Sequence, residues 1–251
     1  MTAKLSVLAL TEDSSSQAAA TFRALLKRTF VLIDEATQTQ PSKLAFMPPD
    51  VASEFAARAQ RWRSSRVEDQ RFKVALVRSI ATQLAQASGF VFFHVDGDEV
   101  WSARTVDLRA HFDREVVQRV RQLLMSLDSE TDRTTVDAWL SKLHLAVPYY
   151  SIEAWLYQNA PVAIALCRSR YQGQDIEKFQ AWAADRAAVD EVPQIKRKTC
   201  LDNKHNQELA ETTFPAVQVE AVGTSYAAFV RDCRASEALV AALASTHAWA
   251  P

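Results

Sequence analysis

Leu5–Leu10 is a short apolar run that gives way to Thr11-Glu12-Asp13 and a serine cluster, beyond which Ala20, Leu25 and Leu26 recur at helical spacing. This predicts a strand, a polar loop and a helix over Gln17–Arg28, with the serines as N-caps. Thr29–Glu35 reads as a second short strand, and Gln38–Pro49 as a proline-containing loop. From Asp50 to Ala87 the spacing is helical, in two helices broken near Arg63–Arg66, with arginines on the polar face. Phe90–Val95 is almost unbrokenly apolar, as a buried parallel strand is. After a loop through Arg104, Asp107 caps a long helix to about Leu127, whose buried stripe is Phe112, Val116, Val120, Leu123 and Leu124.

A helix from Thr134 or Thr135 to about Leu143 precedes a third strand-like run, Leu145–Tyr149, and Ser151 reads as the N-cap of a helix beginning at Ile152. The remainder is mostly helical: Pro161–Tyr171, Ile176–Ala188, about Gln207–Thr213 and Ser225–Ala244. Strands alternating with helices, then a helical tail, predict an α/β fold with a mostly parallel central sheet flanked by helices. Residues 1–160 are expected to form the α/β core, with an Arg-rich helical insert at about 50–88. Residues 161–251 are expected to form a helical C-terminal extension packed on it.

Composition narrows the chemistry. Of 251 residues, 48% are hydrophobic and 24% charged, an ordinary globular balance able to bury a sizeable core. There are only 4 glycines, and neither a P-loop nor a GxGxxG, which excludes nucleotide binding by those devices. The net charge of −1 advertises no global field for nucleic acid, though a local basic groove is compatible with it. Cys167, Cys200 and Cys233 are odd in number and widely spaced, and read as reduced thiols, neither a disulfide frame nor a zinc site. With no signal-peptide or transmembrane run, a cytoplasmic protein without membrane attachment is expected.

The candidate chemistry lies at the strand ends. Glu12 follows the first strand, Asp96-Gly97-Asp98 a middle one and Glu153 the third. In parallel α/β sheets, ligands bind beyond the carboxyl ends of the strands. Converging carboxylates repel one another, and a hard cation such as Mg²⁺ relieves that repulsion. The competing reading of Asp96-Gly97-Asp98 is a turn, with Asp capping the next helix and Gly permitting positive φ. His94, inside a strand, reads as a hydrogen-bonded core histidine, and Trp155 as core. Lys196, Arg197, Lys198 and Lys204 are either a solvated charge run or contacts to nucleic-acid phosphates. The Arg58, Arg61, Arg63 and Arg66 group divides in the same way, with a protein partner as its second use.

Glu12 together with the Asp96/Asp98 pair resembles the glutamate and DxD signature of the Toprim (topoisomerase–primase) family. Val147-Pro148-Tyr149-Tyr150-Ser151-Ile152-Glu153-Ala154-Trp155-Leu156 is similar to the IEAW block of small stand-alone Toprim-like proteins related to overcoming-lysogenization-defect type nucleases. The Lys-rich patch near Lys198 and Lys204, then a helix bearing Phe229, Cys233 and Leu239, fits the same pattern. Two features depart from it: Asp13 stands where the family commonly has glycine, and the Arg-rich insert is no part of a minimal Toprim core.

The resemblance implies a Toprim-like, Rossmann-like sheet and a metal-dependent nuclease hydrolysing nucleic-acid phosphodiesters. Asp96 and Asp98 would coordinate Mg²⁺ or Mn²⁺, with Glu12 a general acid/base or second metal ligand and Glu153 completing the cluster. It further implies DNA or RNA as substrate and an ATPase partner in a phage-defence module. A homo-oligomer is compatible with the sequence, which does not give the oligomeric state. The alternative is a non-catalytic Toprim-like subunit that docks on the ATPase.

Overall fold

A computed structural model describes residues 5–13, 15–35, 44–98, 107–127 and 131–245. In chain order the elements are β1 (Leu5–Thr11), α1 (Ser16–Ile33), β2 (Leu44–Met47), α2 (Val51–Ala57), α3 (Val67–Ala85), β3 (Gly89–His94) and α4 (Asp107–Phe112). Next come α5 (Gln118–Met125), α6 (Arg133–Leu140), β4 (Leu143–Ala146), α7 (Glu153–Leu156), α8 (Ala160–Tyr171) and α9 (Ile176–Ala184). The chain ends in α10 (Asn206–Glu211), α11 (Ala216–Ala221), α12 (Ser225–Arg234) and α13 (Glu237–Ser245).

The four strands form one all-parallel sheet in the order β2-β1-β3-β4. Thr11 pairs with His94, and His94 in turn with Ala146, so the three strand ends are level. Every residue of β3 is buried, which is why Phe90–Phe93 runs apolar without alternation. Phe90 and Phe92 face a core shared with Val7 and Ala9 of β1, Phe22, Leu25 and Phe30 of α1, Trp155 of α7 and Phe229 of α12. Val91 and Phe93 face a second core with Leu76 and Ile80 of α3, Phe112 of α4 and Val120 of α5. The C-terminal helices thus share one hydrophobic core with α1 and the sheet. Among the described residues no helix is long and apolar enough to cross a membrane.

Several boundaries differ from those the sequence pattern predicts. Thr29–Glu35 is not a strand: residues 29–33 are the last turns of α1, and only the residues after them leave it. Leu26 and Phe30 extend one buried helical stripe, and the Thr29 hydroxyl donates to the Leu25 carbonyl at 3.0 Å. Packing along that stripe outweighs the β-propensity of the run. The second strand instead lies in the expected loop, as the short edge strand β2. β4 begins two residues earlier than Leu145. The tail of the helix expected over Ile176–Ala188 is a 3-10 turn, Arg186–Glu191, and Ser225–Ala244 divides into α12 and α13. The break near Arg63–Arg66 is present, entered through a 3-10 turn over Arg58–Arg63. The loop expected through Arg104 lies, from residue 99 onward, outside the described residues.

Candidate acidic site at the carboxyl edge of the sheet

Because β1, β3 and β4 are parallel neighbours, the segments beyond their carboxyl ends leave the sheet on one edge. The Glu12 N–H donates to the His94 carbonyl at 3.2 Å, which sets Glu12 beside the end of β3. On the other side pairing continues past the strand: Val95 N–H donates to the Ala146 carbonyl (3.0 Å), Gly97 N–H to Pro148 (3.0 Å) and Asp98 N–H to Tyr150 (3.1 Å). This zipper requires glycine at 97, since a Cβ there would stand 2.3 Å from the Tyr149 carbonyl oxygen. The left-handed residue is Asp98 (φ +56°), not Gly97. An aspartate tolerates that region better than most side chains. Gly97 therefore serves close approach, and the positive φ expected of it falls one residue later.

The zipper delivers Asp96 to the mouth of α7. Asp96 Oδ1 accepts the Ile152 N–H at 3.0 Å, whereas the sequence pattern predicts a cap from the Ser151 side chain. Ser151 makes no such cap, and α7 starts at Glu153 with its preceding residue held by Asp96. Glu153 is 3% exposed, and its Oε1 accepts from Asn206 Nδ2 at 2.9 Å. His94, 2% exposed, lies under the acidic edge with its ring 5.4 Å from that of Phe22. Its Nδ1 is 3.0 Å from Thr11 Oγ1, and its Nε2 is 3.1 Å from Asp96 Oδ1. The second approach is short but poorly aligned for a hydrogen bond, and it is an ion pair whenever His94 is protonated. Burial opposes a positive imidazole here, but Asp96, Glu12 and Glu153 together outweigh it and raise the His94 pKa. Three of the four predicted carboxylates therefore act electrostatically on one buried ring.

A cavity of about 30 Å³ opens between these groups, lined by Thr11, Asp13, His94, Asp96, Glu153, Lys196 and Asn206, among others. Neither Glu12 nor Asp98 lines it. Asp13, the residue that departs from the family pattern, takes the place expected of Glu12, and nothing in the sequence pointed to Asn206. Asp98 is exposed at the rim, with its pKa raised by partial burial and by Asp96, against the opposing pull of Arg63 and Lys196.

The basic run divides. Lys196, on a 3-10 turn over Ile195–Lys198, reaches the cavity. Arg197 binds the Gln194 side chain at 3.1 Å, and the Lys198 carbonyl accepts from Lys178. Lys204 is engaged elsewhere, paired with Asp202 at 3.0 Å and lying over the Tyr171 ring. In the Arg-rich insert Arg58 pairs with Glu54 and Arg61 with Asp69, while Arg63 acts on Asp98. The described residues contain no group of three or more His, Cys, Asp or Glu side chains already arranged to hold a metal ion.

Trp155 is core, buried with its Nε1 donating to Ser225 Oγ at 2.7 Å. The Ser225 hydroxyl in turn donates to the buried Asp190 carboxylate at 3.0 Å. The chain as a whole matches no family model, no curated protein and no solved structure.

Proposed function

We propose that the acidic edge is the site of a divalent-metal-dependent nuclease of the Toprim type. The observation that carries this reading is the convergence of Glu12, Asp13, Asp96, Asp98 and Glu153 from three adjacent parallel strands. The cavity beside them is large enough for a water-sized species. Carboxylate oxygens are the donors that Mg²⁺ and Mn²⁺ take, so the chemistry of the donor set fits. Asp96 would hold the ion at the cavity, and Asp98 and Glu12, which do not line it, would have to be drawn in as further ligands. Glu153 would complete the cluster, and the chemistry supplied would be activation of water and stabilisation of a leaving phosphodiester oxygen.

The chain's own cations then divide the work. Lys196 at the cavity and Arg63 near Asp98 flank the carboxylates and would hold the phosphate backbone of DNA or RNA. Arg197 and Lys198, next along the same turn, would extend that footprint, whereas Lys204, expected to share in it, is committed to Asp202. His94 positions Asp96 from below, and Asn206 positions Glu153.

One observation favours a second reading, a non-catalytic Toprim-like subunit docking on an ATPase. Asp96 and Glu153 already have protein partners, and Lys196 stands in the same cavity as a counter-charge. Calorimetric titration of Mg²⁺ and Mn²⁺ into wild type and an Asp96→Ala/Asp98→Ala variant separates the two. Binding by wild type that the variant loses, with metal-dependent cleavage of single- or double-stranded nucleic acid, supports the nuclease. Absence of wild-type binding, or equal binding by the variant, leaves the interaction subunit.

A further inference from the structure

The three cysteines are all free thiols, yet two of them are not apart. Cys167, buried on α8, and Cys200, part-exposed after the basic turn, stand 33 positions apart in the chain with their sulfurs 2.7 Å from each other. The sulfur of a formed disulfide lies about 2.05 Å from its partner, so little movement separates this contact from a bond.

The juxtaposition is fastened by a residue outside the pair. The Asp175 N–H donates to Cys167 Sγ at 3.3 Å, and Asp175 Oδ2 accepts the Cys200 N–H at 2.6 Å. Asp175 is itself held by Lys178 at 2.8 Å. One aspartate at the start of α9 therefore ties both cysteines to the same place. Cys233, on α12, is fully buried.

We propose that Cys167 and Cys200 form a redox modification site, an intramolecular disulfide made by exchange with a low-molecular-weight disulfide. The part-exposed Cys200, as thiolate, attacks one sulfur of the reagent; a mixed disulfide forms and the first small thiol leaves. Cys167, as thiolate, then attacks Cys200 Sγ, closing the protein bond and releasing the second small thiol. Each protein thiol gives up one proton and one electron, and the reagent is reduced to two thiols. Burial first, then Cys167 and Asp175, push the Cys200 thiol up to about 12, so the first step is slow at neutral pH. The closed bond ties α8 to the segment just after Lys196, four residues beyond the lysine that lines the acidic cavity. This site stands whether or not the acidic edge binds a metal.

The test is incubation of the full chain with oxidised glutathione, then denaturation, alkylation, intact mass and peptide mapping. The expected product has lost two hydrogens, links the Cys167 and Cys200 peptides, and leaves Cys233 as the alkylated thiol. Its melting temperature rises by on the order of 10 °C, and reductant reverses both changes. Cys233→Ser closes as wild type does, and Cys200→Ser does not. Three alkylatable thiols after incubation, a lasting glutathione adduct on Cys200, or a link to Cys233 or to another chain would each overturn the assignment.

Discussion

His94 Nε2 lies 3.1 Å from Asp96 Oδ1, the same oxygen that accepts the Ile152 N–H at 3.0 Å. One carboxylate therefore joins the end of β3 to the entrance of α7 and also faces the acidic cavity. Of the turn reading of Asp96-Gly97-Asp98, the part that holds is the aspartate at the start of the next helix, and the proposed site would draw on the same side chain.

Those duties come apart in a pair of substitutions. Asp96→Asn keeps an oxygen for the Ile152 N–H and loses only the charge, so it should cost about 1 kcal/mol of stability. Asp96→Ala strands that N–H and should cost about 2–3 kcal/mol. If the acidic edge binds Mg²⁺ or Mn²⁺ as proposed, both should abolish that binding. Urea denaturation and calorimetry on the two variants measure this directly. Metal binding retained by Asp96→Asn would remove Asp96 from the proposed ligands.

Gly97→Ala tests the zipper itself. The added methyl would meet the Tyr149 carbonyl at 2.3 Å and the Pro148 carbonyl at 3.3 Å, and both are backbone atoms of the segment Gly97 pairs with. The segments must separate, at about 2–3 kcal/mol. Metal binding should weaken with stability, because Asp96 and Asp98 both hang from this pairing. A variant as stable as wild type would mean the segments do not approach as closely as described.

The basic residues make a sharper comparison. Lys196 reaches the acidic cavity, whereas Lys204 is committed to Asp202. If nucleic acid docks on this edge, Lys196→Ala should weaken binding uniformly across sequences. It should also flatten the log–log salt dependence by about one. Lys204→Ala should leave that slope nearly unchanged. Fluorescence anisotropy of a labelled duplex over a salt series reads both, and equal slopes for Lys196→Ala and wild type would place the interface elsewhere.

How far the sequence spoke depended on whether local pattern or tertiary contact decided each element. β3 was legible because burial on both faces leaves Phe90–Phe93 without a polar position. Residues 29–33 were not, because a strand-like run continues a helical stripe whose partners, among them Phe92 and Tyr226, are remote in sequence. The level ends of β1, β3 and β4 could be read from three strand–carboxylate junctions taken as parallel neighbours. The cavity lining could not. Asp13 looked like a mere departure from a motif, and Asn206 lies 53 positions from the Glu153 it binds. The cysteines are free thiols as expected, but the nearness of Cys167 and Cys200 was not legible, since spacing along the chain says nothing of Asp175 drawing them together.

His144 gives the pH dependence of the fold. Its ring stacks on Phe92 at 4.7 Å between centroids and 19° between planes, 6% exposed, with Nε2 unpartnered. Burial pushes its pKa down to about 4 from the ordinary 6.5. The folded protein therefore favours neutral imidazole, and between those two values only the unfolded chain takes up the proton. The stabilisation is fully present above about pH 6.5 and is lost as pH falls towards 4, amounting to about 3 kcal/mol. His144→Phe keeps a stacked ring, removes the proton site and leaves no buried nitrogen without a partner. The variant should match or exceed wild type at pH 7, and its advantage should grow by about 3 kcal/mol on going to pH 4. Urea denaturation of both proteins across that range gives the comparison; parallel stability curves would show that His144 titrates alike in folded and unfolded chains.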